Sequence, residues 1–146
     1  MSGKVIKIKR FDKTVPLPEY KTEGAAAFDL CARIAVEIPP KEIGYVPLNV
    51  AVEVPEGHFL LLVARSSTHK KGLIMANGIG IMDPDFSGDE DEYKAVYYNF
   101  TDKPVMIEKG ERIAQGLVIK RETVQWQEVN VMENKTRGGF GTTGTQ

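Results

Sequence analysis

Val46-Pro47-Leu48-Asn49-Val50-Ala51-Val52-Glu53-Val54-Pro55 places an aliphatic side chain at every second position and something smaller or polar between. Strand side chains point to opposite faces with a period of two, so this stretch predicts a strand with one buried face. Glu56-Gly57 then makes a turn into His58–Val63, whose apolar run predicts a strand covered on both sides. Working outward, the same reasoning predicts strands at Val5–Lys9, Ala35–Ile38, Leu73–Ala76, Ile79–Met82, Lys94–Phe100, Val105–Ile107, Arg112–Lys120 and Val124–Val131. Pro39-Pro40, Asn77-Gly78, Asp83-Pro84-Asp85, Asp102-Lys103-Pro104 and Lys109-Gly110 punctuate them as turns.

No window holds a sustained helical period. One short helix is predicted at Ser66–Lys71, with Ser66 or Ser67 as its cap and Gly72 as its stop. Many short strands at regular turn spacing read as an all-β sandwich or jelly roll. At 146 residues the chain has the size of one domain, and 42% apolar with 27% charged residues is an ordinary globular balance. The organisation expected is a β domain over 1–132 and a C-terminal arm over 133–146. That arm holds Gly138, Gly139, Gly141 and Gly144 with one large apolar side chain, Phe140, so it cannot build a core and is expected to be mobile.

Charge and composition exclude several functions. A net charge of -1 removes the case for nucleic-acid binding by bulk charge. The longest apolar run, Phe59–Ala64, is far short of the roughly 20 residues that cross a bilayer. Cys31 is the only cysteine, so no internal disulfide and no cysteine zinc site can form. The expected location is cytoplasmic, with no membrane or nucleic acid as partner.

Five segments mix glycine, hydroxyls and charge in ways a core does not require. In Ala25–Ala32, Asp29 lies among apolar neighbours and must surface, cap a turn or find a cation. Arg65-Ser66-Ser67, after the buried run, combines a guanidinium fork with two hydroxyls, either as an anion site or as a helix cap beside a surface Arg. In Asn77–Gly88, Asn77-Gly78 signals a hairpin able to present backbone groups to a flat heterocycle. There Asp83 is a candidate general base, with turn formation as the alternative. In Arg112-Ile113-Ala114-Gln115, regular alternation puts Ile113 and Gln115 on one face. The last segment is the arm, Lys135–Gly144.

Taken in order, these segments resemble the five motifs of the trimeric dUTPase family across nearly the whole chain. Gly80-Ile81-Met82-Asp83-Pro84-Asp85-Phe86-Ser87-Gly88 and Gly138-Gly139-Phe140-Gly141-Thr142-Thr143-Gly144 carry the resemblance most specifically. It implies a jelly-roll-like homotrimer whose sites are shared between subunits, with a C-terminal arm closing over a neighbour's site. It also implies Mg²⁺-assisted hydrolysis of dUTP to dUMP and pyrophosphate, which limits uracil in DNA and supplies dUMP for dTMP synthesis. By the same resemblance Asp83 activates the water, while Arg65, Ser66 and Ser67 hold phosphate oxygens and Gln115 reaches the α-phosphate. Asn77, Gly80, Ile81 and Met82 read uracil, and Phe86 packs on the deoxyribose. Phe140 stacks on the base, and Gly141, Thr142 and Thr143 cover the phosphates. Mg²⁺ is held through phosphates and water, with no direct protein ligand. Asp29 and Arg112 are expected to pair and orient the strand carrying Gln115.

The chain departs from the family pattern in four places. Ala64 stands where Pro is usual, and Phe86 where Tyr is. Asp89-Glu90-Asp91-Glu92 reads as an extra acidic bulge, solvated or able to bind a cation. Lys135 occupies the usual Arg position while Arg137 precedes the glycines, so both are candidates for the terminal phosphate. The rival readings are a non-catalytic nucleotide-sensing module and, ranked lower, a dCTP deaminase.

Overall fold

The structure, a computed structural model, describes residues 3–141 and 144. Among them, strands β1 (Ile8–Arg10), β2 (Phe28–Cys31), β3 (Val36–Ile38), β4 (Ile43–Pro47), β5 (Val50–Val52) and β6 (His58–Val63) precede a 3-10 turn at Thr68–Lys71. Strands β7 (Leu73–Met75), β8 (Gly80–Met82), β9 (Lys94–Asn99), β10 (Val105–Ile107) and β11 (Arg112–Lys120) follow. The chain is all-β and jelly-roll-like. A four-stranded sheet, β2-β11-β6-β8, and a three-stranded one, β4-β9-β7, are accompanied by the pairs β1-β5 and β10-β3. The core gathers Leu30, Ile38, Leu60, Leu62, Leu73, Tyr97, Ile107 and Ile113, each at most 2% exposed. No helix among the described residues is long and apolar enough to cross a membrane.

The alternating stretch buries its predicted side chains, Val46, Leu48, Val50, Val52 and Val54, but it is not one strand. β4 pairs with β9 and β5 with β1, and between them Asn49 takes a left-handed φ of 74°. Asn tolerates that region better than most residues because its short amide bonds locally. Here the amide accepts from the Asp12 N–H at 2.7 Å and donates to the Asp12 carbonyl at 3.0 Å, so the break is fixed from both sides.

Other expectations shift for equally local reasons. β2 was missed because Phe28–Cys31 carries a carboxylate mid-strand; it pairs with β11. β1 starts at Ile8, with Val5 exposed. The helical turn is 3-10 and begins at Thr68; Ser67 makes no side-chain cap, while Gly72, at φ 91°, does terminate it. Val124–Val131 forms no strand: no other strand lies beside it, and Trp126 is 91% exposed.

Asn77-Gly78 is a turn, as expected, but not a hairpin. The Gly78 N–H donates to the Met75 carbonyl at 3.0 Å, while β7 bonds to β9 and β8 to β6. The turn therefore carries the chain from one sheet to the other.

β6 is half right: Leu60 and Leu62 are buried in the core, while Phe59, Leu61 and Val63 are only half-covered. Cross-strand partners share a face, so Leu61 lies between Leu117 of β11 and Ile81 of β8. That outer face is apolar, and Ile81 is 60% exposed.

Candidate active site

β11 lies between β2 and β6, and its Gln115 faces Asp29 on one side and Val63 on the other. The row ends in Ala64 and Arg65, just beyond β6. Gln115 donates its amide N–H to the Ala64 carbonyl at 3.0 Å, bridging the two strands. Asp29, 9% exposed, meets the need of a buried carboxylate for cations. Its Oδ1 accepts from Arg65 Nε at 3.1 Å, and its Oδ2 lies 3.6 Å from a terminal nitrogen of Arg112. Arg65 also donates to the Arg112 carbonyl at 3.2 Å. Two guanidinium groups thus share one carboxylate, leaving a net positive charge and unspent N–H donors.

The alternation read for β11 breaks at its start. The register shifts between Arg112 and Ala114, and both Ile113 and Ala114 lie in the core. A bulge opposes two residues to one, so Ile113 does not share a face with Gln115. The bulge lets Arg112 stand outside while its neighbour fills the core.

Beside this cluster opens a cavity of about 540 Å³, lined by Arg65, Ser67, Lys70, Lys71, Glu111 and Arg112 among others. Lys71 and Glu111 pair at 2.6 Å. Cations outnumber the carboxylate along this lining, and the exposed Ser66 and Ser67 add hydroxyl donors at its edge. The field and the donors suit a multiply charged anion. Lys70 and Lys71 were not singled out from the sequence; a lysine pair in a charged turn reads as solvated surface.

Asp83 is elsewhere. Met82 faces Leu60, with Asp83 one step beyond in one direction and Arg65 five steps in the other. At the rise of a strand, these residues stand about 20 Å apart. Asp83 is exposed, and its carbonyl accepts from the Phe86 N–H at 3.1 Å, closing a tight turn. Phe86 is 38% exposed and stacks on Tyr93, ring centres 6.1 Å apart and planes 15° from parallel. Asn77 is exposed, while Gly80 is buried and closely backed by Leu62.

The arm is a third group. Lys135, Arg137, Phe140 and Gly141 are exposed, and Gly138, Phe140 and Gly141 all have positive φ. Thr142 and Thr143 lie outside the described residues. Past the bond from the Arg121 N–H to the Gly57 carbonyl, no described residue of the tail joins a strand. One chain therefore does not bring together the Arg65 cluster, the Asp83 turn and the arm.

The acidic run is a solvated bulge only in its first half: Asp89 and Glu90 are exposed, whereas Asp91 and Glu92 are partly buried. Asp89 pairs with Lys9 at 2.9 Å, and the Asp91 carboxylate accepts from the Gly88 N–H at 2.7 Å. Glu92, with its side chain 8% exposed, takes two bonds from Arg33 and one from the Asn49 N–H. Two of the four carboxylates, Asp91 and Glu92, are thus tied into the fold, and Asp89 makes a surface pair. Among the described residues, no three His, Cys, Asp or Glu side chains are grouped to hold a metal ion.

A family model described as dUTPase matches residues 13–144. The deoxyuridine 5'-triphosphate nucleotidohydrolase of Dictyoglomus turgidum is 39% identical over 144 residues, covering 94% of this chain and 96% of the relative. That of Rickettsia prowazekii is 37% identical, covering 95% and 96%. The crystal structure of dUTPase from Streptococcus mutans aligns at a TM-score of 0.76 and 31% identity, over 82% of this chain and 98% of that one. The dUTPase of Staphylococcus bacteriophage 80alpha with dUPNHPP, at 24% identity, shares the fold at a TM-score of 0.85, covering 98% and 100%.

Proposed function

The chain belongs to the dUTPase family and is a dUTP diphosphatase, and from that premise we propose how its residues divide the work. The Asp83 carboxylate orients a water and takes its proton as the water oxygen bonds to the α-phosphorus. The bond from that phosphorus to the α–β bridging oxygen breaks, releasing dUMP and pyrophosphate. Arg65, Ser66 and Ser67 hold phosphate oxygens, and Gln115, fixed by its bond to Ala64, addresses the α-phosphate. Such chemistry asks for positioned charge more than for covalent help.

Asn77, Gly80, Ile81 and Met82 read uracil through their backbone, and Phe86 walls the deoxyribose against a 2′-hydroxyl. Phe140 stacks on the base while Gly141, Thr142 and Thr143 close over the phosphates, with Lys135 or Arg137 at the terminal one. A lid of this kind excludes bulk water.

The observation that carries this reading is the pair of guanidinium groups sharing Asp29 beside a cation-lined cavity. The family uses a divalent metal, which we take to be Mg²⁺ held by triphosphate oxygens and water, since a cavity lined mainly by Arg and Lys offers few protein ligands to a cation. When bound, Mg²⁺ neutralises the triphosphate so that the Asp83 carboxylate can approach it.

The assembly we propose is a homotrimer with shared sites. The separation of about 20 Å between Asp83 and Arg65 that strand rise gives, and the apolar face around Leu61 and Ile81, support it. A cytoplasmic location belongs to the same reading, supported by the free, buried thiol of Cys31.

Pyrophosphate release from dUTP, dCTP, dTTP and UTP tests the proposal: rapid release from dUTP alone is expected. Ammonia from dCTP would instead mark a deaminase, and no turnover of any nucleotide a binding module.

A further inference from the structure

The ring of Tyr93 lies in offset, nearly parallel stacking beside that of Phe86, and Tyr93 is itself fully buried in the core. Its backbone is pinned on both sides: the Tyr93 N–H donates to the Val50 carbonyl and its carbonyl accepts from the Leu48 N–H, each at 2.8 Å. Phe86, by contrast, sits on a loop between β8 and β9. Its ring runs almost parallel to that of Tyr93, and the residue is 38% exposed to solvent. The loop is closed on its far side by Asp91, whose carboxylate would be 2.8 Å from a Cβ added at Gly88. An exposed aromatic ring on a loop would otherwise have rotamers to choose from; a nearly parallel, buried ring beside it favours the one that keeps the stack.

The Tyr93 hydroxyl is buried and has no hydrogen-bond partner among the described residues. Burial also raises its pKa, which keeps the group neutral. The hydroxyl therefore adds desolvation cost and no bond, so what the position supplies is the flat face of its ring.

We propose that Tyr93 is a positioning residue that sets sugar discrimination by holding the Phe86 ring as a rigid wall. It touches no substrate, and the inference rests on the role given to Phe86 above. A wall excludes a single additional oxygen only if it cannot retreat. Because the Phe86 N–H also bonds to the Asp83 carbonyl, the same stack steadies the turn that carries the base.

The test compares kcat/KM for dUTP and UTP, with melting temperatures, in Tyr93→Phe, Tyr93→Met, Tyr93→Leu and Phe86→Leu. Tyr93→Phe keeps the ring, so its dUTP preference should match that of the unchanged protein and its melting temperature should be equal or higher. Tyr93→Met fills similar space without a flat face and should relax the preference by roughly tenfold, the scale of one lost packing contact. Tyr93→Leu should do the same if it folds.

Phe86→Leu separates the two failures. If it leaves the preference unchanged, the role of Phe86 itself is wrong. If it relaxes the preference while folded Tyr93→Met does not, the role of Tyr93 is overturned. A loss of preference in Tyr93→Phe would also overturn it, because the hydroxyl would then be at work. In the unchanged protein, nuclear Overhauser contacts between the two rings are expected, and their absence would sink the proposal without any variant having to fold.

Discussion

Asp29 and Arg65 are joined across the width of β11: the carboxylate on β2 accepts from the guanidinium beyond β6 at 3.1 Å, over a strand that belongs to neither. The same carboxylate faces Arg112 at 3.6 Å. A planar fork held at its Nε presents its remaining donors in one direction, which is what a phosphate contact needs.

Asp29→Asn should therefore leave both guanidinium groups without a counter-charge. Breaking a buried pair costs about 3–5 kcal/mol. With Arg65 30% exposed, solvent screening reduces the expectation to about 2 kcal/mol. A denaturant midpoint measures that loss, and kcat/KM for dUTP should fall by about 10- to 100-fold. An unchanged KM and kcat would show that the pair does not orient Arg65 for substrate.

Asp83→Asn keeps the shape of the turn and removes the base. Turnover should drop by about 100- to 10,000-fold while dUTP binding, read by calorimetry with the nucleotide and Mg²⁺, stays within a few-fold. A variant near full rate would refute Asp83 as the base.

Complementation tests the distance between Asp83 and Arg65. Asp83→Asn and Arg65→Ala chains, each inactive alone, should regain activity when unfolded, mixed and refolded together. In random homotrimers about one site in four would combine an intact Asp83 with an intact Arg65 from another chain. If each site belonged to a single chain, mixing would restore nothing.

Truncation before Lys135 removes a segment with no strand partner among the described residues. The shortened protein should keep its melting temperature and its assembly, read by light scattering, and lose nearly all turnover. Unfolding would instead make the arm structural.

Asp12 should set part of the acid limb of stability. Its carboxylate accepts from the Thr14 hydroxyl at 2.6 Å and faces Lys109 at 2.9 Å, which holds its pKa far below the ordinary value. A depressed folded-state pKa stabilises the fold above the unfolded-state value, near 3.8, and that contribution fades as pH falls below it. Urea midpoints taken between pH 6 and pH 2.5 should decline less steeply in Asp12→Asn, which should start from lower stability at pH 6.

The β character was legible because strand period and turn chemistry agree over most of the chain; β6, β10 and β11 carry the predicted bounds. What escaped depended on partners distant in sequence. Phe28–Cys31 is a strand because β11 lies beside it, and its carboxylate is tolerated because two arginines from other elements meet it. An aspartate among apolar residues announced that a cation was needed; Arg112 was the partner expected, and Arg65, distant in sequence, makes the closer contact. The bulge at Ile113 and the left-handed Asn49 are likewise decisions of the packed sheets. Tyr93 falls just before the predicted Lys94–Phe100 strand, and nothing local says which ring it will lie against.

The corner at Asn77-Gly78 joins the two sheets and, on the reading proposed, also forms the floor beneath the pyrimidine. One short bend then serves both as a hinge-pin of the architecture and as a gauge of the nucleobase. Widening the gauge for a bulkier ring would mean prising the layers of the sandwich apart, so fidelity towards uracil draws on the cohesion of the entire domain.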